Sequence, residues 1–154
     1  MIFSRIYDTE LIKHIMTHER IYPYVIDDGS PAMEKYEPNM HENIWYILLG
    51  DSEGIIGLCI IFALNAICGD LHVAALPKAR GKRILEAGKM FFNYWIWDNS
   101  PFRRLTASIP EYNKHAIILA RKVGMIEFGI NEKSFLKDGK LYNQILFGIS
   151  KDGG

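Results

Sequence analysis

Apolar positions along the chain repeat with two periods, every second residue in some stretches and every third or fourth in others. Ile2 to Tyr7 alternates and predicts a first strand. Asp8 or Thr9 is placed to N-cap a helix whose apolar stripe is Leu11, Ile12, Ile15 and Met16. Tyr22-Pro23-Tyr24 and Asp27-Asp28-Gly29-Ser30-Pro31 predict a break and a loop. Met33 to Met40 is ambiguous and reads at most as a short second helix. Ile44 to Leu49 and Ile55 to Leu64 predict strands on either side of a turn at Gly50-Asp51-Ser52-Glu53-Gly54. Leu71 to Leu76 is a further strand. Gly81 to Asn99 reads as one long helix, with Pro101 after its stop. Arg104 to Ile109 predicts a strand, and Asn113 to Val123 a helix closed by Gly124. Met125 to Ile130 and Leu141 to Ile149 predict two last strands, the second preceded by a turn at Lys137-Asp138-Gly139-Lys140.

Early strands are thus joined by hairpins and later ones through helices. That order predicts an α/β fold in a single domain, with a mixed, mostly antiparallel sheet of about seven strands flanked by helices. No internal repeat, linker or low-complexity segment interrupts it. The domain is expected over residues 1–150, with a flexible tail at 151–154.

Composition narrows the class. The chain has 154 residues, 49% of them hydrophobic and 12% aromatic, enough for one real core. Eighteen basic and eighteen acidic side chains cancel, which argues against broad nucleic-acid binding. A local basic cluster at Lys78, Arg80, Lys82, Arg83 and Lys89 keeps that as a third reading. Cys59 and Cys68 sit in apolar, strand-like runs and are expected as buried thiols of a cytoplasmic protein. His14, His18, His41 and His115 have no metal-ligand spacing, so no metal is expected. No apolar run approaches the roughly 20 residues of a membrane span.

The chemistry concentrates after residue 71. An apolar strand runs into Pro77-Lys78-Ala79-Arg80-Gly81-Lys82 and then directly into a helix. The unpaired N–H groups of a first helical turn, with the helix dipole, make an anion site, and Arg80 and Lys82 add charge there. A phosphate or pyrophosphate is the natural ligand.

The element order and two motifs resemble the GCN5-related N-acetyltransferase (GNAT) superfamily, the acyl-CoA N-acyltransferase fold. Its turn reads Arg/Gln-x-x-Gly-x-Gly/Ala, often Arg-Gly-Lys-Gly-Ile-Gly; here Arg80-Gly81-Lys82-Arg83-Ile84-Leu85 stands in that place. Its second signature, Asn-x-x-Ala and a helix ending Lys-x-Gly-Phe, is matched by Asn113-Lys114-His115-Ala116 and Lys122-Val123-Gly124-Met125. The resemblance implies acetyl-CoA as cosubstrate. It places the pyrophosphate on Arg80, Gly81, Lys82, Arg83, Ile84 and Leu85, and the pantetheine against Ala74 and Ala75 with Asn113 nearby. Two departures stand out: Arg83 and Leu85 replace small residues, and Ala120 stands where the family commonly has a tyrosine that protonates the departing thiolate. A narrower resemblance, to GNAT-like head-assembly proteins of P22-type tailed bacteriophages, rests on Met1-Ile2-Phe3-Ser4-Arg5, Ile44-Trp45-Tyr46 and the window from Leu71-His72-Val73 to Arg80-Gly81. It implies work in the host cytoplasm during capsid maturation, and a phage structural or injected protein as partner.

Amine acetylation needs a proton acceptor. His72 and Asp70 are the candidates nearest the phosphate turn, with Glu111 behind them; the competing reading of His72 is a strand residue packed under a helix. Asp27-Asp28 would suit a cationic acceptor, or simply a solvated loop. Phe91, Phe92, Tyr94, Trp95 and Trp97 exceed one helical stripe, so the surplus, with Phe102, is either core or a surface for a homo-oligomer.

Overall fold

A computed structural model describes residues 1–153; Gly154, the end of the expected tail, lies outside them. Seven strands form one sheet: β1 (Ile2–Arg5), β2 (Ile44–Asp51), β3 (Gly54–Ala63), β4 (Cys68–Ala75), β5 (Arg104–Pro110), β6 (Ile126–Lys137) and β7 (Lys140–Ser150). Their spatial order is β1-β2-β3-β4-β5-β7-β6. Every neighbouring pair is antiparallel except β4 with β5, which are joined through the helical segment from Lys82 to Asn99. The helices are α1 (Thr9–Met16), α2 (Tyr22–Val25), α3 (Lys82–Met90), α4 (Ile96–Asn99) and α5 (Lys114–Lys122). None is long and apolar enough to cross a membrane, among the described residues.

Strand alternation sorts the core onto two faces. On one face Ile12 and Ile15 of α1 pack with Tyr46, Leu58, Ile60 and Ala74. On the other, Ile84 and Ala87 of α3 and Ile117 and Ala120 of α5 pack with Ile47, Ile61, Leu71, Leu105 and Phe147. Cys59 is buried in this second layer, which pushes its thiol up to about 12; Cys68 is half-buried, and both are free.

Several elements depart from the pattern, each for a local reason. Tyr22–Val25 forms one helical turn rather than a loop, with Pro23 early enough to be tolerated. Met33–Lys35 makes only a 3₁₀ turn. β4 starts at Cys68 because Gly69 lies flat on the core: a Cβ there would meet Ile61 Cγ2 at 2.5 Å. β6 continues to Lys137, past the expected end at Ile130. Its register jumps from Asn131↔Gln144 to Phe135↔Tyr142 across a bulge, which breaks the alternation.

The long helix is not continuous either. Between α3 and α4, Phe91–Trp95 form a π-helical turn. Its extra residue per turn lets adjacent Phe91 and Phe92, and then Ile96, all reach the core. Trp97, left open by the pattern, is half-buried, and its indole N–H donates to the Phe92 carbonyl at 2.6 Å. Phe102 is core, not surface: it is buried edge-to-face against Trp45. Of the five helical aromatics only Tyr94 is exposed.

Candidate functional site

Parallel pairing between β4 and β5 covers only Cys68↔Arg104, Gly69↔Leu105 and Asp70↔Thr106. Beyond that the two strands part, although β4 runs on to Ala75 and β5 to Pro110. The Leu76 N–H donates to Ile56 on the β3 side, while Ile67 on the same edge as Ala75 accepts from Arg104 of β5. Alternation therefore turns the N–H groups of Val73 and Ala75 into the gap, with no strand opposite.

The gap opens beside the N-terminus of α3. Pro77–Ala79 form a 3₁₀ turn, Arg80 is extended, and Gly81 takes φ +87°, ψ −121°, a region that requires glycine. No side chain caps α3. The first N–H to find a helical acceptor is that of Leu85, bonded to the Gly81 carbonyl at 3.2 Å, which leaves the amides of Lys82, Arg83 and Ile84 directed outward. A Cβ built on Gly81 meets nothing within 4 Å. Open space therefore faces an uncapped helix end, the shape a diphosphate needs.

The basic side chains divide. Lys82 is exposed, with Glu86 at 3.8 Å. Arg80 is exposed and donates to the Arg20 carbonyl. Arg83 turns away: its guanidinium donates to both oxygens of Asp51, at 2.8 and 2.7 Å, and lies 3.5 Å from Glu53. That pairing holds the Asp51 carboxyl below the usual carboxylate range. Arg83 thus anchors the helix to the β2–β3 hairpin through its side chain and offers an anion only its N–H. Leu85, two places on, shares a flank of α3 with Gly88, where a Cβ would meet Val123 of α5 at 2.6 Å. Ile84 is buried. Beside the 3₁₀ turn a cavity of about 450 Å³ is lined by His18, Arg20, Lys78 and Arg83. The pattern gave no hint of His18 and Arg20 here, because they arrive from the far end of α1.

Asn113 caps α5, accepting from the Ala116 N–H at 3.2 Å, just past the end of β5. That puts it at the mouth of the gap. Ala120 is buried in α5 and brings no hydroxyl. Glu111 lies further along, its carboxylate 3.3 Å from the Asn143 N–H of β7.

Asp70, His72 and Ala74 share one face of β4, on which α1 packs at Ala74. The Thr106 hydroxyl of β5 donates to Asp70 Oδ1 at 3.0 Å, and Asp70 Oδ2 lies 3.2 Å from His72 Nε2. The imidazole stands edge-on to Phe62, centroids 5.4 Å apart. Nε2 stands beside the carboxylate, and Nδ1 is the ring nitrogen left for a substrate. His72 is half-exposed, not packed under a helix. It lines a pocket of about 340 Å³ with Tyr22, Tyr36, Tyr46, Phe62 and Ala74.

A strap tethers the loop after α2, whose Val25, Ile26, Ser30 and Pro31 line this pocket. The Asp138-Gly139 turn has both residues at positive φ, +51° and +75°, and its two N–H groups donate to the Asp28 carboxylate at 2.7 and 2.8 Å. Lys137 Nζ donates to the Pro23 and Ile26 carbonyls. Asp27 accepts from Gly29 and Ser30. Neither acid is therefore set out to receive a cationic acceptor. The Gly139 and Asp138 N–H groups hold the Asp28 carboxyl below its ordinary value. A lowered native value means the contribution is present above the unfolded value and lost as pH falls through the native one, so the strap loosens only below about pH 4. Asp28→Ala is expected to raise the rate of proteolytic cleavage within residues 22–31 several-fold at pH 7 while the melting temperature moves little; unchanged cleavage would show that the strap is held some other way.

A seven-stranded mixed sheet that parts beside an uncapped helix is the fold of the GNAT acyltransferases. The spermidine N-acetyltransferase of Vibrio cholerae, solved with CoA and spermine, superposes with a TM-score of 0.72 at 16% identity, over 99% of this chain and 96% of its own. The smu.2055 protein of Streptococcus mutans gives 0.73 at 15% identity, over 98% and 99%. No curated protein matches the chain. Residues 9–153 match DUF2824, a family of proteins of unknown function, and the chain belongs to that family.

Proposed function

We propose that the protein is an acetyl-CoA-dependent N-acetyltransferase acting on a primary amine. The observation that carries this reading is the loss of β4–β5 pairing after Asp70↔Thr106, beside the open N-terminus of α3. The N–H groups of Gly81, Lys82, Arg83 and Ile84 would hold the pyrophosphate, with Arg80 and Lys82 adding charge. The pantetheine would lie in the gap against Ala74 and Ala75, near Asn113. The Ala75 N–H is the donor for the acetyl carbonyl oxygen as it gains charge.

Acetyl-CoA supplies an acetyl group on a good thiol leaving group. His72 Nδ1 takes one proton from the ammonium, and Asp70, fixed by Thr106, holds the ring and stabilises its charged form. The amine nitrogen then bonds to the carbonyl carbon, the carbon–sulfur bond breaks, and the nitrogen's second proton leaves with the thiolate. With Ala120 in the tyrosine's place, water delivers that proton.

Arg83 held by Asp51, bulky Leu85 beside the helix end and Ala120 favour a second reading, in which a GNAT scaffold serves phage head assembly in the host cytoplasm with little catalysis. Isothermal titration with acetyl-CoA separates the two. Micromolar binding is expected, weakened at least about tenfold by Arg80→Glu. No heat at millimolar ligand would leave the assembly reading.

A further inference from the structure

The pocket that reaches His72 is walled by rings and branched aliphatic side chains. Register sets Tyr46, Ile60 and His72 in one row across β2, β3 and β4, and Ile44, Phe62 and Asp70 in the next. Tyr22 and Tyr36 close the opposite wall, edge-to-face with centroids 5.6 Å apart. The hydroxyls of Tyr22 and Tyr46 donate to the Pro31 and Asn39 carbonyls, so both side chains present ring rather than phenol to the space between.

Charge is nearly absent from the walls. Glu37 is the one carboxylate lining the pocket among the described residues, and it is paired with Lys13. Asp27 and Asp28, in the loop between the lining residues Ile26 and Ser30, are held by backbone N–H groups. A second or third ammonium on the acceptor would be desolvated here with no carboxylate set out to meet it, which is costly. An aromatic ring would instead exchange water for ring edges and methyl groups. The volume, about 340 Å³, is at the small end of the range for small-molecule sites, roughly 300–1,000 Å³.

We infer that the acceptor is a small arylalkylamine, its ring seated among Tyr22, Tyr36, Tyr46 and Phe62 and its amine at His72 Nδ1. This rests on the acetyltransferase reading of the same site. Only the acceptor is new; the bonds made and broken are those already described.

The test measures acetyl transfer from acetyl-CoA to phenethylamine, spermidine and a short peptide with a free α-amine, by thiol release and by the mass of the product. A kcat/KM for phenethylamine at least about tenfold above the other two is expected. Phe62→Ala should raise KM for phenethylamine more than it lowers kcat. Spermidine or the peptide used as well as phenethylamine, or no transfer to phenethylamine by protein that binds acetyl-CoA in the titration, overturns the acceptor assignment and leaves the cofactor reading standing. Failure of acetyl-CoA itself to bind overturns both.

Discussion

His72→Gln is expected to lower kcat/KM for acetyl transfer by about 10²–10³-fold while acetyl-CoA affinity stays within about twofold. Glutamine keeps a polar group facing Asp70 but cannot take a proton from the incoming ammonium. The cofactor is expected to lie on the other side of β4's edge, against backbone, so its binding does not need the imidazole. Asp70→Asn should cost less, because the imidazole remains to take the proton. Asp70 acts on the ring, through the 3.2 Å contact to Nε2, and touches no reacting atom. A His72→Gln enzyme with wild-type kcat/KM would remove His72 from the chemistry.

The largest structural effect is expected at Gly57, which pairs with Ala75 across the β3–β4 ladder. A Cβ on Gly57 would stand 2.0 Å from the Ala74 carbonyl oxygen and 3.0 Å from the Ala75 Cα. Both atoms are backbone, so no rotamer change relieves the contact and β4 itself has to move. Gly57→Ala should therefore cost about 3 kcal/mol. For a chain of this length that lowers the melting temperature by roughly 6–12 °C. The same displacement would shift the Ala75 N–H, so acetyl transfer should fall further than the folded fraction does. Calorimetry and activity on one preparation check both. A variant that melts like the wild type would mean that the β3–β4 spacing yields more readily than the geometry implies.

Much of this arrangement was legible in the pattern of residues. The strand–turn–helix at Leu71 to Lys82, the helix after Asn113 and the Asp138-Gly139 turn all depend on neighbours in sequence, so local rules found them. What escaped depends on distant partners. Arg83 looked like a phosphate ligand until Asp51, 32 residues earlier, turned out to hold its guanidinium. Asp28 looked ready for a cation, but its partners are N–H groups 110 and 111 residues away. His18 and Arg20 join the phosphate end through the path of α1, which no motif encodes. The π-helical turn resolved the surplus of aromatics by adding a residue to one turn, a change of period that a 3.6-residue pattern cannot express.

The most direct measurement is a crystal structure of the acetyl-CoA complex. The account predicts the pyrophosphate on the N–H groups of Gly81 to Ile84, the pantetheine between β4 and β5, and the acetyl carbonyl within hydrogen-bond distance of the Ala75 N–H. Acetyl-CoA bound elsewhere, or an empty gap between β4 and β5 at saturating ligand, would contradict it.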